Sequence, residues 1–435
     1  MTPPLIIHSR EHEAASCSIP NEYREYLKKR IDSCKPRKLL GLHETKNGFA
    51  PGNFIGMVWL DKSDKPLVLR VDSKFSTMDY IAMYMECMAH PTISDRTAKC
   101  FHVWSDEELI DSGWHDFSIL IVIAYLRELN KFCQQHMRRH FTREQQNFIG
   151  KVKGKILVGE NLRRNIIHAR PDRVYCEYQS VSDDILENQI LRTALERASR
   201  FFNEYHGNKG ALDILSQWIR TSRAALNGVS TKKVKPSDFA AARKHGTFAF
   251  YKHPLALAKL VLQQFGPNPQ AKNSQTKTPP FALASAKLFE CYVEIKLREK
   301  FSNVAPGKDT GSYDESGFNI TIRPDFCIEN KDGQKPHIID AKYKDIDFMD
   351  LEISDSNKKR KLSRNDIYQV VAYSQHEKLR REMKCNDDDS IELGLAYPYV
   401  GESEEPVISQ KPIRAFMSPL TVYRIPCPTK HNEKK

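Results

Sequence analysis

The chain has ten cysteines but no CxxC pair, and no Cys/His spacing that could close a zinc or iron–sulfur site, which excludes small metal-stapled domains. The cysteines are expected to be packing residues in a reducing compartment. No apolar run reaches the ~20 residues needed to cross a bilayer. The best candidate, "FSILIVIAYL" from Phe117 to Leu126, passes straight into the polar "RELNKFCQQHMRRH" and reads as a buried helix. A phosphate-binding loop is missing too: "GKILVGEN" lacks the terminal Gly-Lys-Ser/Thr, so no nucleotide-hydrolysing site is read in this chain. The opening "MTPPLIIHSREHE" has neither the cationic start nor the apolar stretch of a secretory signal, and a cytoplasmic location is expected. No repeat of solenoid or propeller period is found.

Acidic residues are also in short supply. Lys and Arg number 67 against 55 Asp and Glu, giving a formal charge of +12 and a pI near 9.1. Such a surface attracts polyanions, and nucleic acid is the expected partner. At 435 residues the chain exceeds one ordinary core, so two or three domains are expected.

The first part reads as mixed α/β. "NFIGMVWL" (Asn53 to Leu60) and "PLVLRVDSKF" (Pro66 to Phe75) are two strand patterns around "DKSDK", and helical spacing follows at Thr77 to Met88 and Asp116 to Met137. From Arg138 to Arg173 the chain turns basic, with ten Lys/Arg against three Asp/Glu. Inside that band "KVKGKILVGENL" alternates like a strand pair turning at Gly159. Helical patterns over Ser182 to Tyr205 and Gly210 to Asn227 come next. "GPNPQAKNSQTKTPP" (266–280) is polar and rich in turn formers, and marks a linker or long loop. Beyond it the order is a helix (Phe281 to Phe301), two strands, a helix (Asp366 to Arg381) and a strand (Ser390 to Val400), which suits an α/β sandwich with a mixed sheet. The expected division is a mixed N-terminal region over 1–130, a basic and helical central region over 131–265, and a C-terminal domain over 281–435.

The chemistry concentrates in "ITIRPDFCIENKDGQKPHIIDAKYK" (Ile320 to Lys344). Side chains of a strand alternate faces, so Ile338, Asp340, Lys342 and Lys344 share one side, and Ile339, Ala341 and Tyr343 form the apolar other side. Pro324 cannot donate to a ladder and is expected at a strand end or at a bulge that tips Asp325 toward Asp340. "NKDGQK" supplies an Asp-Gly hairpin turn. Paired this way, two carboxylates and an ammonium converge. Neighbouring carboxylates repel unless a cation lies between them, and hard oxygen ligands suit Mg²⁺ with waters and phosphate oxygens. On an exposed face the same residues would be a solvated surface with weak ion pairs. Glu290 in "KLFECYV", and Gln369 with Tyr373 four residues apart in "DIYQVVAYS", add polar groups on the flanking helices.

Together "LFECYV", "RPDFCIE", "IIDAKYK" and "DIYQVVAYS", with "NLRRNI" and "ENQILRTAL" upstream, resemble the McrC family, the nuclease subunits of McrBC-type modification-dependent restriction systems, within the PD-(D/E)XK nuclease superfamily. The likeness covers roughly the C-terminal two-thirds. It implies an α+β multidomain chain ending in a restriction-endonuclease-like core. Asp325 and Asp340 would be Mg²⁺ ligands, Lys342 the catalytic lysine, and Glu290, Gln369 and Tyr373 supporting residues. It also implies a McrB-like AAA+ GTPase partner, docking through the N-terminal region, with any dimer or higher assembly formed through it.

The basic band is expected to track a phosphate backbone, with Arg163, Arg164 and Arg170 foremost, although a solvated charged face explains it equally. Lys358, Lys359 and Arg360 in "KKRK" are expected to flank the cleft and touch DNA. His168, His337 and His376 show no ligand spacing. The resulting expectation is a Mg²⁺-dependent DNA endonuclease acting in antiviral defence. A non-catalytic DNA-binding adaptor and a recombination-type exonuclease on the same fold are the alternatives.

Overall fold

The structure is a computed structural model of the whole chain. It describes residues 4–13, 23–46, 48–62, 66–105, 107–108, 110–111, 118–137, 140–204, 209–264, 277–307, 323–329, 335–348, 353–354, 361–385, 390–401, 409–414 and 419–430. The fold is mixed α+β, in two compact units that are not contiguous in sequence. One comprises Met1–Trp104, Gly207–Ala211 and Pro280–Lys435, and the other Ser105–His206 and Leu212–Pro279.

In the first unit, a five-stranded sheet is built from β1 (Leu5–Arg10), β2 (Phe54–Asp61), β3 (Leu67–Asp72), β4 (Phe101–Val103) and β5 (Phe281–Ala284), in the order β1-β3-β2-β5-β4. β2 and β3 pair antiparallel, as their alternation predicts. The helix expected from Phe281 begins instead at Ser285. Its first four residues form β5, which pairs antiparallel with both β2 and β4. Glycine at 56 permits this, because a Cβ there would collide with the Phe281 carbonyl. The sheet is flanked by α1 (Arg24–Ser33) and by α2 (Tyr80–Ala89), where the Asp79 carboxylate caps the helix by accepting the Ile81 and Ala82 N–H groups, each at 3.0 Å.

The same unit continues through α3 (Ser285–Lys300) into a mixed six-stranded sheet. Its strands are β6 (Val304–Pro306), β7 (Phe326–Ile328), β8 (His337–Ala341), β9 (Glu392–Tyr399), β10 (Ser409–Arg414) and β11 (Pro419–Pro426), in the order β6-β7-β8-β9-β11-β10. β8, β9 and β11 run parallel in the middle. Between β8 and β9 the chain forms α4 (Arg364–Ser374) and α5 (Glu377–Glu382), two pieces where one helix was expected.

Parity sorted β8 correctly, but solvent covers neither side. Ile338 packs with Val370 of α4 and Leu393, Leu395 and Tyr397 of β9, while on the opposite side Ile339 is also fully buried. Tyr343, just past the strand, meets Phe289 of α3 at 5.9 Å between ring centroids. Parallel central strands need covering on both faces, which makes the near-continuous apolar run a property of both sides. Gly394 belongs to this packing, since a Cβ there would lie 2.6 Å from the Tyr423 ring and 2.9 Å from Ile339.

The second unit contains the helices Ser118–Gln135, Leu186–Glu204 and Lys252–Gln264 and most of Lys209–Ala225. Its three-stranded sheet pairs His140–Ile149 with Arg173–Ser182, which also pairs with the two residues Lys155–Ile156. The strand pair expected to turn at Gly159 is not formed. Lys155–Ile156 runs in the same direction as His140–Ile149, since both are antiparallel to Arg173–Ser182, and Gly159 lies in a helical turn, Val158–Asn161. Among the described residues no helix is long and apolar enough to cross a membrane.

Candidate active site

Register places the two aspartates. β7 and β8 pair antiparallel with Phe326 opposite Ile339 and Cys327 opposite Ile338, so continuing the ladder by one step sets Asp325 across from Asp340. Directly opposed residues share a face, so the bulge invoked for Pro324 is not required. Pro324 and Asp325 precede β7, and two backbone bonds fix them there. The Gly307 N–H donates to the Asp325 carbonyl at 2.9 Å, and the Ala341 N–H donates to the Asp325 carboxylate at 2.7 Å. Gly307 must lack a side chain, because a Cβ would run into the Pro324 carbonyl. The Asp-Gly turn joining the strands, 332–333, lies outside the described residues.

Asp340 is 3% exposed, so the solvated-surface explanation does not hold for it. The Lys342 ammonium pairs with the Asp340 carboxylate and donates to Gln369 Oε1 at 2.6 Å. The Gln369 amide nitrogen in turn donates to the Tyr373 hydroxyl. One face of α4 thus clamps the lysine over the aspartate pair. Burial pushes the Asp325 carboxyl up to about 8, with the nearby Asp340 and Glu290 charges adding to the effect. Asp340 is likewise raised, chiefly by burial and against the attraction of Lys342. For Lys342, burial is the largest single influence and works against the charged form, but Asp340, with Asp366 and Asp325 adding to it, outweighs burial and the pKa rises. Glu290, half-buried on α3, is raised by burial, with Lys287 opposing.

Asp325 and Glu290 open onto a cleft of about 310 Å³ whose other lining includes Arg37, Arg96, Lys99, Lys287 and Arg323. None of these five cations was singled out from the sequence, because they come from segments far apart in the chain. Asp366 was also missed. It is buried, receives both carboxylate bonds from Lys344 at 2.8 Å, and accepts the Tyr397 hydroxyl at 3.2 Å. The signal was present: positions 366, 369 and 373 follow the i, i+3, i+7 rule for one helix face.

The remaining expected residues lie elsewhere. Arg163 and Arg164 are in the second unit, exposed, and both bind Glu160, at 2.8 and 2.9 Å. Arg164 also lies over the Tyr175 ring at 4.5 Å. Arg170 is exposed in the same segment. Lys358, Lys359 and Arg360 fall outside the described residues. The band also exposes apolar side chains, among them Phe141, Ile149, Val152, Val158 and Ile167.

No match was found among curated proteins. Solved structures similar to the chain include the following two. The first is the refined half-complex from the tetradecameric assembly of Thermococcus gammatolerans McrB AAA+ hexamers with bound McrC, at 14% identity and TM-score 0.41, covering 97% of this chain and 95% of that one. The second is the cryo-EM structure of the Thermococcus gammatolerans McrBC complex, at 14% identity and TM-score 0.32, covering 68% and 87%. Residues 51–383, well over half of the chain, match the model of the family described as "McrBC 5-methylcytosine restriction system component", and the chain belongs to that family.

Proposed function

We propose that this chain is the DNA-cutting subunit of its restriction system, a Mg²⁺-dependent endonuclease whose C-terminal sheet is a restriction-endonuclease-like core. The observation carrying the reading is the convergence of Asp325 and Asp340 with Lys342 across adjacent strands, at the mouth of a cationic cleft.

The donor set fits Mg²⁺. Two carboxylates buried side by side resist ionising together, and a divalent cation removes that conflict. Mg²⁺ takes one or two carboxylates with waters and phosphate oxygens, the number that this pair offers. When bound, Mg²⁺ supplies Lewis acidity toward a phosphate oxygen and lowers the pKa of a bound water. Asp325 and Asp340 would hold it. Lys342, anchored by Gln369 and Tyr373, would orient the attacking water and neutralise charge building on the phosphate, and Glu290 would supply a third carboxylate at the cleft. In-line attack would expel the 3′-oxygen and leave a 5′-phosphate.

A chain without a phosphate loop needs a motor, so we assign translocation to a McrB-like AAA+ GTPase. The exposed apolar side chains of the 140–182 hairpin make that segment a docking surface for it, alongside the N-terminal region. Arg163, Arg164 and Arg170 remain candidate phosphate contacts, as do Lys358, Lys359 and Arg360.

The test is co-purification with the neighbouring gene product, followed by cleavage of methylated and unmethylated circles with Mg²⁺ and GTP. Cutting of circles excludes an exonuclease. Asp340→Ala and Lys342→Ala should abolish cutting while DNA binding persists. Undiminished cutting by both variants would leave only the adaptor reading, and GTP hydrolysis by the purified chain alone would contradict the division of labour.

A further inference from the structure

The cleft before Asp325 is walled by side chains that the acid motif does not explain. Arg37 stands in the helical turn Pro36–Leu39 after α1, and Arg96 and Lys99 come from the short helix Ser94–Ala98 and its C-terminal cap. Lys287 projects from α3, and Arg323 precedes the Pro324–Asp325 step. Five cations therefore face two lining carboxylates, Glu290 and Asp325. Arg96 is committed to an ion pair with the buried Glu294. Arg323 donates to the Gly307 carbonyl at 3.3 Å, and Arg37, Lys99 and Lys287 by themselves still outnumber the two acids.

The N-terminal pair is also pre-arranged. Arg37 donates one guanidinium N–H to the Lys99 carbonyl at 2.8 Å, which ties the turn to the short helix and sets the two basic positions side by side. A guanidinium has five donors, so this bond occupies one of them. Lys99 itself is exposed, at the C-terminal end of its helix, where a cation is favoured.

We propose that Arg37 and Lys99 form a phosphate clamp, gripping the backbone of the DNA strand next to the phosphate that Asp325 and Asp340 present for cleavage. The proposal rests on the nuclease reading of the acid pair and gives the N-terminal sheet region a direct hand in substrate binding. Backbone contacts of this kind carry position without sequence. Each also releases counterions, so losing one flattens the dependence of log affinity on log salt by about 0.7–0.9.

The experiment uses the full chain carrying Asp340→Asn to prevent cutting, with a fluorescent DNA duplex titrated over a salt series. Lys99→Glu should lower affinity at least about fivefold near physiological salt and reduce the slope by about one contact. Lys99→Glu with Arg37→Gln should remove about two. Lys29→Glu, an equal charge change at an exposed position on α1, should leave the slope unaltered. Because the Lys99 side chain is exposed, its variant also separates charge from folding, which circular dichroism checks. Unchanged slopes in the Lys99 and Arg37 variants, equal loss from Lys29→Glu, or no DNA binding by the parent would each overturn the clamp. If the chain with Asp340 intact never cuts DNA together with its partner, the nuclease reading fails while the slopes still decide the clamp. If it cuts, the clamp variants should raise KM and leave kcat within about threefold.

Discussion

Replacing Asp325 by asparagine should stabilise the metal-free chain and at the same time inactivate it. In the folded chain this carboxyl is pushed from its ordinary 3.8 up to about 8, first by burial and then by Asp340 and Glu290. Unfolded, it loses its proton near 4. Over the interval between, the folded state holds a proton that the unfolded state lacks, so stability falls as pH rises, by about 1.4 kcal/mol per unit for one such group. From pH 6 to 8 the ceiling is about 3 kcal/mol. Asp340 shares the proton and Lys342 offsets part of the repulsion, so about 1–2 kcal/mol is the expected loss. Asparagine has nearly the same shape, keeps an oxygen for the Ala341 N–H, and carries no charge, so its stability should stay level over that range. Urea unfolding in chelator at pH 6 and pH 8 measures both chains. Mg²⁺ at a hundredfold excess over its Kd should restore about 2.7 kcal/mol to the parent and little to the variant. If Asp325→Asn is less stable than the parent by the same margin at both pH values, the buried repulsion does not exist.

Gln369→Ala should cut the cleavage rate about tenfold or more with little change in DNA affinity, because it frees the Lys342 ammonium from its anchor; single-turnover kinetics test this. Gly307→Ala should cost about 1–3 kcal/mol, since the new methyl meets the Pro324 backbone and not a yielding side chain; thermal unfolding reads it, and equal stability would contradict the close approach. Lys74, whose ammonium donates to the Tyr343 carbonyl, is lowered to about 8, chiefly by burial. Above that pH the folded state has lost a proton that the unfolded state keeps up to about 10, so the parent should gain stability between pH 8 and 10, by up to about 1.4 kcal/mol per unit. Lys74→Met should lack that gain, and matching unfolding curves for the two chains would refute it.

Much of the site was legible in the amino-acid sequence because its signals are local. Strand alternation put Asp340 and Lys342 on one side of β8, and four-residue spacing put Gln369 and Tyr373 on one face of α4, where Lys342 meets both through a chain of bonds. Turn chemistry and alternation likewise found β2, β3 and β9. Local rules misjudged "FALA" at 281–284, whose helix-forming residues are held as a strand by pairing with β2 and β4, partners some 180 to 230 positions earlier in the chain.

The amino-acid sequence alone determined which residues could do chemistry, because period and residue type are set by neighbours a few positions away. Tertiary structure decided the rest. It buried both faces of β8, which turned two ordinary aspartates into a strained pair, and it brought Arg37 and Lys99 to the mouth of a cleft whose acidic residues come far later in the chain, at 290 and 325. Desolvation and long-range charge depend on what packs around a group, and no window of sequence contains that information.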